Sequence, residues 1–356
     1  MGLAPRLSTG LDPGAGAVPE VHLTDLETPA HEKPRPLRTA RSWIFPLLLA
    51  AVLLYFALRG IDWSRVWTII VHARWPFLAA AMLTSSVTYF LRSIRWRVLL
   101  NARARFSVGT VFSANMAGYL GNSFLPARAG EVIRSFILSS RSSLSRTYVL
   151  TTALAERMMD AVALVLWGSV ILLGVSPKPS WLHGVSWGTT ALAAGGVLAI
   201  FVLPRSAKAC EDLIGFLPLP ARARERLRHL ADQILSGLLV FHDSRRLASF
   251  AGLTAVIWVI EAGGMILGGR AFGLIITFPM ASLLLCGLGL GSAIAPTPGY
   301  VGTYQSVAIA VLTPFGIPRE AALALILVAQ ALGYVVVLVL GLPAILRYRG
   351  WPRAKS

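Results

Sequence analysis

Long apolar runs alternate with short basic segments along most of this chain. A helix of about 20 apolar residues crosses a bilayer, and Lys and Arg gather in the cytoplasmic loops between such helices. The alternation therefore predicts an all-α polytopic membrane protein with about six full transmembrane helices. The six runs are at 43–58, 75–89, 147–175, 188–203, 248–268 and 321–346.

Two further apolar segments, 108–138 and 278–315, are interrupted by Gly, Pro and polar residues. The arms of the first segment, 108–120 and 132–138, are too short for two crossings. Irregular backbone inside a bilayer occurs where protein buries it or where it lines a wet cavity. Both segments are therefore predicted to be re-entrant helical hairpins. The backbone positions that open them are Gly121, Pro126, Gly130, Pro296, Pro298, Gly299 and Gly302.

The order of spans and hairpins repeats within the chain. Residues 41–186 begin inside the cell and contain two spans, a hairpin and a span, and residues 187–346 repeat this order from outside. Such inverted repeats are typical of secondary transporters, in which interrupted helices in matching positions surround a midplane site. If the hairpin arms cross fully, the number of crossings rises to ten, and the termini stay on the same side.

The segments outside the spans are expected on the cytoplasmic side. Residues 1–40 are rich in Pro, Gly and polar residues and are predicted to be a disordered tail. Residues 218–243 carry apolar positions at helical spacing with arginines opposite, which predicts a surface amphipathic helix. A basic tail at 347–356 follows the membrane domain at 41–346. We expect the cytoplasmic (inner) membrane, with both termini inside.

Composition excludes a soluble protein and most soluble chemistry. Hydrophobic residues make up 55% of the 356 residues, charged residues 14%, and the mean hydropathy is +0.67. The net charge of +17 is explained by basic loops near anionic lipids, so nucleic-acid binding is not expected. Cys210, Cys286 and the six histidines show no ligand or disulfide spacing. No metal and no cofactor are expected, and the chain is not expected to be an enzyme.

Ionisable residues at membrane depth are the candidate site, since each costs about 2.5 to 3.5 kcal/mol to place there. Glu156 and Asp160 share a helix face at i and i+4. They are either structural ion-pair partners of Arg134 or Arg128, or they balance these arginines until an anionic headgroup displaces them. The candidate substrate-binding residues are Asn122, Arg128, Glu131, Arg134, Glu156, Arg157, Asp160, Tyr304 and Gln305.

A basic cluster follows the predicted span at 75–89. Arg92 and Arg95 lie near one helical face at i and i+3. They either set the topology by snorkelling or contact lipid phosphate near the cytoplasmic surface.

Four motifs in order resemble the flippase-like membrane region of lysylphosphatidylglycerol synthases, which also exists as stand-alone membrane proteins. They are RSIRWRVLL, NSFLPARAGEVIRSFIL, AERMMD and PTPGYVGTYQSVA, and the resemblance covers roughly residues 42–347. The resemblance implies movement of lipids across the bilayer. It departs from the family at Gln305, where relatives often carry Glu, and at Tyr300, where the turn has its second Gly. The synthases' soluble aminoacyl-transferase domain is not expected in this chain.

The leading hypothesis is a lipid flippase or transporter. Arg128 and Arg134 would bind an anionic phosphate, and Tyr304 and Gln305 would supply neutral hydrogen bonds. The alternative is a membrane enzyme that transfers a group to a lipid-linked acceptor, with Glu131 or Glu156 as base. A third hypothesis is a non-transporting partner of lipid-synthesis enzymes that acts through the basic surface helix. A homo-oligomer is compatible with each hypothesis.

Overall fold

The computed structural model describes residues 37–125, 129–142, 144–174, 243–295 and 297–349, with isolated positions between 195 and 228. Within these ranges all regular elements are helices. The chain divides into two compact units, Met1–Arg41 and Ser42–Ser356, and the site described below lies in the second.

The described part of the chain contains ten α-helices and two short 3-10 turns. The 3-10 turns are Pro298–Tyr300 and Thr313–Phe315. The helices are α1 (Leu37–Leu58), α2 (Trp63–Val71), α3 (Trp75–Leu100), α4 (Val108–Phe124), α5 (Gly130–Ser139), α6 (Arg146–Gly174), α7 (Ser244–Ala271), α8 (Phe278–Ile294), α9 (Thr303–Leu312) and α10 (Arg319–Arg349).

Three described helices are long and apolar enough to cross a membrane: α3, α7 and Arg319–Leu346 within α10. Pro46–Leu58 of α1 and α2 meet the same criterion together, across a bend of 88°. The chain is therefore an all-helical membrane protein with three or four candidate spans among the described residues. The predicted span at 188–203 and the surface helix at 218–243 lie outside the described residues, apart from isolated positions, so the number six stays a prediction.

Side-chain caps fix several helix starts. Asp62 accepts hydrogen bonds from the backbone N–H of Ser64 (3.0 Å) and Arg65 (3.2 Å) at the start of α2. Ser107 caps α4, and Asp243 caps α7 in the same way. Such caps satisfy N–H groups that have no partner inside the helix.

The helix α3 is longer than the predicted span at 75–89. It continues to Leu100 and packs along α7. Arg92 and Arg95 therefore lie inside a continuous helix that faces other helices.

The first interrupted segment forms the closely packed pair α4 and α5. A Cβ at Gly130 would meet Gly118 O, and it would lie 2.5 Å from Asn122 Oδ1. A Cβ at Gly121 would come within 2.7 Å of Ile133 Cδ1. The helices can approach this closely because both positions lack a side chain.

The second interrupted segment has the same layout. Its helices α8 and α9 have 17 and 10 residues, and α4 and α5 also have 17 and 10. Gly299 and Gly302 in its turn have φ of 59° and 83°, which favour glycine. A Cβ at Gly299 would lie 3.1 Å from Ser123 O, so the break between α8 and α9 contacts the C-terminal end of α4.

Two apolar clusters support these segments. One surrounds α8, α9 and the start of α10, with Ala262, Leu284 and Leu312 at its centre. The other surrounds α4 and α5, and it includes Trp96, Leu138 and Phe250 of α7. Each interrupted segment is thus packed in its own apolar cluster.

Candidate functional site

Arg95 on α3 lies at the centre of a buried ion-pair cluster. Its guanidinium donates to both carboxylate oxygens of Asp160, at 2.5 and 2.9 Å, and to Glu156 Oε1 at 2.9 Å. It also donates to Thr254 Oγ1 on α7 at 3.0 Å and lies over the Phe250 ring. The Arg95 side chain is fully buried. This arginine therefore ties α3 to α6 and α7.

Arg134 on α5 extends the cluster to the first interrupted segment. Its Nη1 donates to Glu156 Oε2 at 2.9 Å and to Asn115 Oδ1 on α4 at 2.8 Å. Its Nη2 lies 2.5 Å from Glu131 Oε2. Glu156 is fully buried and bridges Arg95 and Arg134. The sequence hypothesis of an ion pair between α6 and Arg134 matches this geometry.

Arg157 is the more exposed member of the cluster. Its Nε donates to Glu131 Oε1 at 3.0 Å, and its Nη1 to Asp160 Oδ2 at 3.4 Å. Its side chain is 23% exposed, against 0% for Arg95 and 3% for Arg134. Three arginines and three carboxylates thus form a chain of ion pairs from the fully buried Arg95 to the partly exposed Arg157.

A separate ion pair joins α3 to α7. Arg92 donates to Glu261 Oε1 through Nη2 at 2.7 Å and Nε at 3.3 Å. The two side chains are 17% and 24% exposed. This pair lies one helical turn from Arg95 along α3.

Both ion-pair groups face one cavity of about 380 Å³. It is lined by charged residues from four helices, by tyrosines and by apolar residues of α3, α6, α8 and α10. The charged lining residues are Arg92, Glu131, Arg157, Asp160 and Glu261. Arg95, Arg134 and Glu156 do not line it; they lie behind the charged wall.

The second interrupted segment contributes aromatic residues to the cavity. Tyr300 and Tyr304 line it, and their rings stack nearly parallel with centroids 5.0 Å apart. Tyr300 has φ of 62°, a left-handed conformation that is rare for a bulky residue. Tyr334 and Gln330 on α10 line the cavity beside them.

Gln305 stabilises the turn and does not line the cavity. Its Oε1 accepts from the Gly302 N–H at 2.7 Å, and its Nε2 donates to Gln330 Oε1 at 2.7 Å. Gln330 donates to the Gly299 carbonyl at 2.6 Å, and the Tyr334 hydroxyl donates to the same carbonyl. A glutamine at position 305 thus holds the backbone that carries Tyr300.

The structure brings together most of the residues chosen from sequence. Asn122 lines the cavity and accepts from the Gly130 N–H at 2.9 Å. Arg95 was predicted to snorkel or to contact lipid phosphate near the membrane surface, but it lies in the interior. Its guanidinium is enclosed by carboxylates and cannot reach a headgroup in this conformation. Arg128, Pro126 and Pro296 lie outside the described residues.

Sequence reasoning chose Tyr304, but it did not choose Glu261, Asn115, Tyr300 or Tyr334. Glu261 was available as an isolated carboxylate in an apolar run, which is itself a functional signal. Its partner in α3 is 169 positions away, so only packing identifies the pair. Within the described ranges no group of three or more His, Cys, Asp or Glu side chains is placed to hold a metal ion.

Fold and site together define a helical membrane protein with a charged interior cavity. The family model described as the lysylphosphatidylglycerol synthase TM region matches residues 43–341, and the chain belongs to this family. The resemblance found in the sequence motifs is therefore confirmed.

Two curated relatives extend the comparison. The chain is 26% identical to the glycosyltransferase AglD of Haloferax volcanii over 352 residues, which cover 88% of this chain and 55% of AglD. It thus spans about half the length of AglD. It is 23% identical over 314 residues to a UPF0104 membrane protein of Methanothermobacter thermautotrophicus, covering 83% of this chain and 91% of the relative.

Proposed function

We propose that this protein moves a phospholipid or another lipid across the membrane, with the headgroup passing through the cavity. The observation that carries the proposal is the charged wall of that cavity, which lies among candidate membrane spans. Ionisable residues at such depth usually mark a substrate pathway. Membership of a family named for a lipid-modifying synthase agrees with a lipid substrate.

Arg92 and Arg157 are the proposed ligands of an anionic headgroup. Both guanidinium groups line the cavity and are partly exposed. Planar guanidinium donors suit phosphate oxygens. Arg134, which sequence reasoning also chose for phosphate, is already held by Asn115, Glu131 and Glu156. We assign Arg95 and Arg134 the role of holding the charged wall in place.

The proposed topology is an inverted repeat of six spans and two re-entrant hairpins in the cytoplasmic membrane, with both termini inside. The equal helix lengths of the two interrupted segments support this repeat. The breaks lie next to the cavity: Asn122 and Ser123 precede the first, and Tyr300 lies within the second. This placement agrees with transporters whose interrupted helices surround the substrate site.

Filling the cavity without touching an ion pair tests the proposal. Gly333 on α10 lines the cavity, and a Cβ there would meet no atom within 4 Å. We expect Gly333→Phe to reduce translocation of fluorescent lipids in proteoliposomes to the rate of protein-free vesicles, because the ring occupies the headgroup's space. The lipid panel contains anionic, zwitterionic and polyprenyl-linked species.

The matched control is Gly252→Phe on α7. Gly252 is exposed, also has no atom within 4 Å of a Cβ, and does not line the cavity. This variant should keep wild-type translocation at equal reconstitution. Equal rates for the Gly333 variant and the wild type would show that lipids do not pass through the cavity. Wild-type rates at the protein-free background for every lipid would contradict transport itself.

The similarity to a protein named glycosyltransferase supports a second candidate, a membrane enzyme that acts on a lipid-linked acceptor. Of the two bases considered, Glu131 lines the cavity, whereas Glu156 is fully buried between two arginines. Purified protein would be incubated with labelled nucleotide sugars and a polyprenyl phosphate. Labelled lipid that disappears in Glu131→Gln would favour the enzyme, and no labelled lipid would count against it.

A further inference from the structure

The Arg92–Glu261 pair differs from the other ion pairs at the cavity. Among the described ion pairs, Glu261 pairs with one guanidinium, while Glu131, Glu156 and Asp160 each pair with two. Glu261 is also the most exposed of these four carboxylates, at 24% of its side chain. It is therefore the carboxylate that can most easily lose its partner to a ligand.

The charges of the site balance when it is empty. Four guanidinium groups, of Arg92, Arg95, Arg134 and Arg157, face four carboxylates, of Glu131, Glu156, Asp160 and Glu261. An anionic headgroup would add a negative charge to this balanced set in a medium of low dielectric constant. Uncompensated charge is strongly unfavourable there. The site therefore needs a compensating cation to hold an anionic lipid.

We propose that this cation is a proton taken up by Glu261, an inference that rests on the proposed lipid transport. The phosphate of the headgroup replaces Glu261 as the partner of Arg92, and the released carboxylate binds one proton that comes from the bulk solution. One negative charge and one proton enter together, so the net charge of the site is unchanged. Anionic lipid movement is thereby coupled to a proton.

The groups around the cavity leave Glu261 as the proton acceptor. On α3, Arg92 pairs with Glu261 in the empty state. Among the described residues that line the cavity, the other arginine is Arg157 on α6, which pairs with Glu131 and Asp160. If Arg157 binds the headgroup, Glu131 still pairs with the buried Arg134, and Asp160 still pairs with the buried Arg95. The other titratable side chains that line the cavity are Tyr89, Tyr119, Tyr300, Tyr304 and Tyr334.

The test measures binding and proton uptake in detergent with a short-chain anionic lipid, dihexanoyl phosphatidylglycerol, in weak buffer with a pH dye. We expect about one proton per bound lipid. Over the pH range in which binding takes up this proton, the lipid affinity should fall about tenfold per pH unit, because only the bound state holds it. Glu261→Gln should bind lipid with no proton uptake and no such slope. Inorganic phosphate serves as a second ligand to separate free phosphate from a lipid headgroup.

The control variant is Glu320→Gln in the first turn of α10, outside the cavity, which should behave as wild type. Thermal unfolding compares the stability of Glu261→Gln and Glu320→Gln. Arg92→Lys is a further variant, which keeps the positive charge but loses the planar guanidinium donor. Its lipid affinity should fall while proton uptake per bound lipid persists.

The possible results separate the inference from the proposed function. Lipid binding without proton uptake, or uptake that survives in Glu261→Gln, overturns the coupling and leaves translocation standing. Equal binding of inorganic phosphate assigns the site to free phosphate and overturns the lipid coupling. Absence of phosphatidylglycerol binding also overturns it, whereas the translocation panel decides the proposed function independently.

Discussion

At the scale of single residues, depth and partners decide what each arginine does. Arg92, Arg95 and Arg97 are close in sequence, yet their surroundings differ. Arg95 is enclosed by two carboxylates, Arg92 reaches the cavity, and Arg97 donates to the Phe106 carbonyl at 2.6 Å. Removing one partner of a buried pair typically costs about 3 to 5 kcal/mol. Arg95 therefore contributes mainly to the stability of the fold.

Tyr300 has a strained backbone conformation that places its ring in the cavity. A left-handed conformation costs a non-glycine residue about 1 to 2 kcal/mol, but this conformation places the ring against Tyr304 in the cavity. We expect Tyr300→Gly to be more stable than Tyr300→Ala by about 1 kcal/mol, since both lose the ring and only alanine keeps the strain. Thermal unfolding measures the difference.

The same two variants test the ring. Both should translocate lipid more slowly than the wild type, because both remove the stacked aromatic surface from the cavity. Faster transport in either variant would mean that Tyr300 obstructs the passage. Equal stability of the two variants would mean that the left-handed backbone carries no strain.

At the scale of elements, the pair α4 and α5 depends on a contact between backbones. A methyl group at Gly130 would overlap Gly118 O and would lie 2.5 Å from Asn122 Oδ1. We expect Gly130→Ala to destabilise the protein by about 1 to 3 kcal/mol, as overpacking does. The shift would also displace Glu131 and Arg134, which follow on α5, so translocation should fall with it.

Gly109, near the start of α4, is the matched control. It is exposed, and a Cβ there would meet nothing within 4 Å. Gly109→Ala should leave stability unchanged or raise it by up to about 1 kcal/mol, since alanine favours a helix over glycine. A similar loss of stability in both variants would contradict the close contact between α4 and α5.

At the scale of the whole molecule, the two halves meet at their interrupted segments. Gly299 approaches Ser123 O, and the Phe124 and Tyr334 rings lie 6.4 Å apart. Alternating access in transporters moves one repeat against the other. A reducible cross-linker between Phe124→Cys and Tyr334→Cys, in a chain with Cys210 and Cys286 replaced by Ser, should stop translocation, and reduction should restore it.

The single-cysteine variants, treated with the same reagent, control for labelling and for loss of each aromatic ring. They should keep the rate of the untreated variants. If the cross-linked protein transports lipid at the uncross-linked rate, α4 and α10 stay together during transport, and the passage opens elsewhere.

Much of the helical layout was predictable from sequence, because apolar length and interrupting glycines report local requirements. The runs at 248–268 and 321–346 correspond to α7 and α10, and the arms around Gly121, Gly130 and Gly299 correspond to separate helices. The run at 75–89 and the basic segment that follows it form one continuous helix, α3. Glu261 pairs with Arg92 and so satisfies a charge inside that helix.

The sequence by itself determined that the chain belongs to this family and is a helical membrane protein. It also determined which ionisable residues needed partners. A charge in an apolar run is unfavourable whatever the fold, so Glu156 and Asp160 were identifiable as residues of a candidate site. Only the tertiary structure decided which partners they have, since Arg95 and Asp160 are 65 positions apart and Arg92 and Glu261 are 169 apart. Electrostatic pairing depends on distance in space, and packing between helices alone sets that distance.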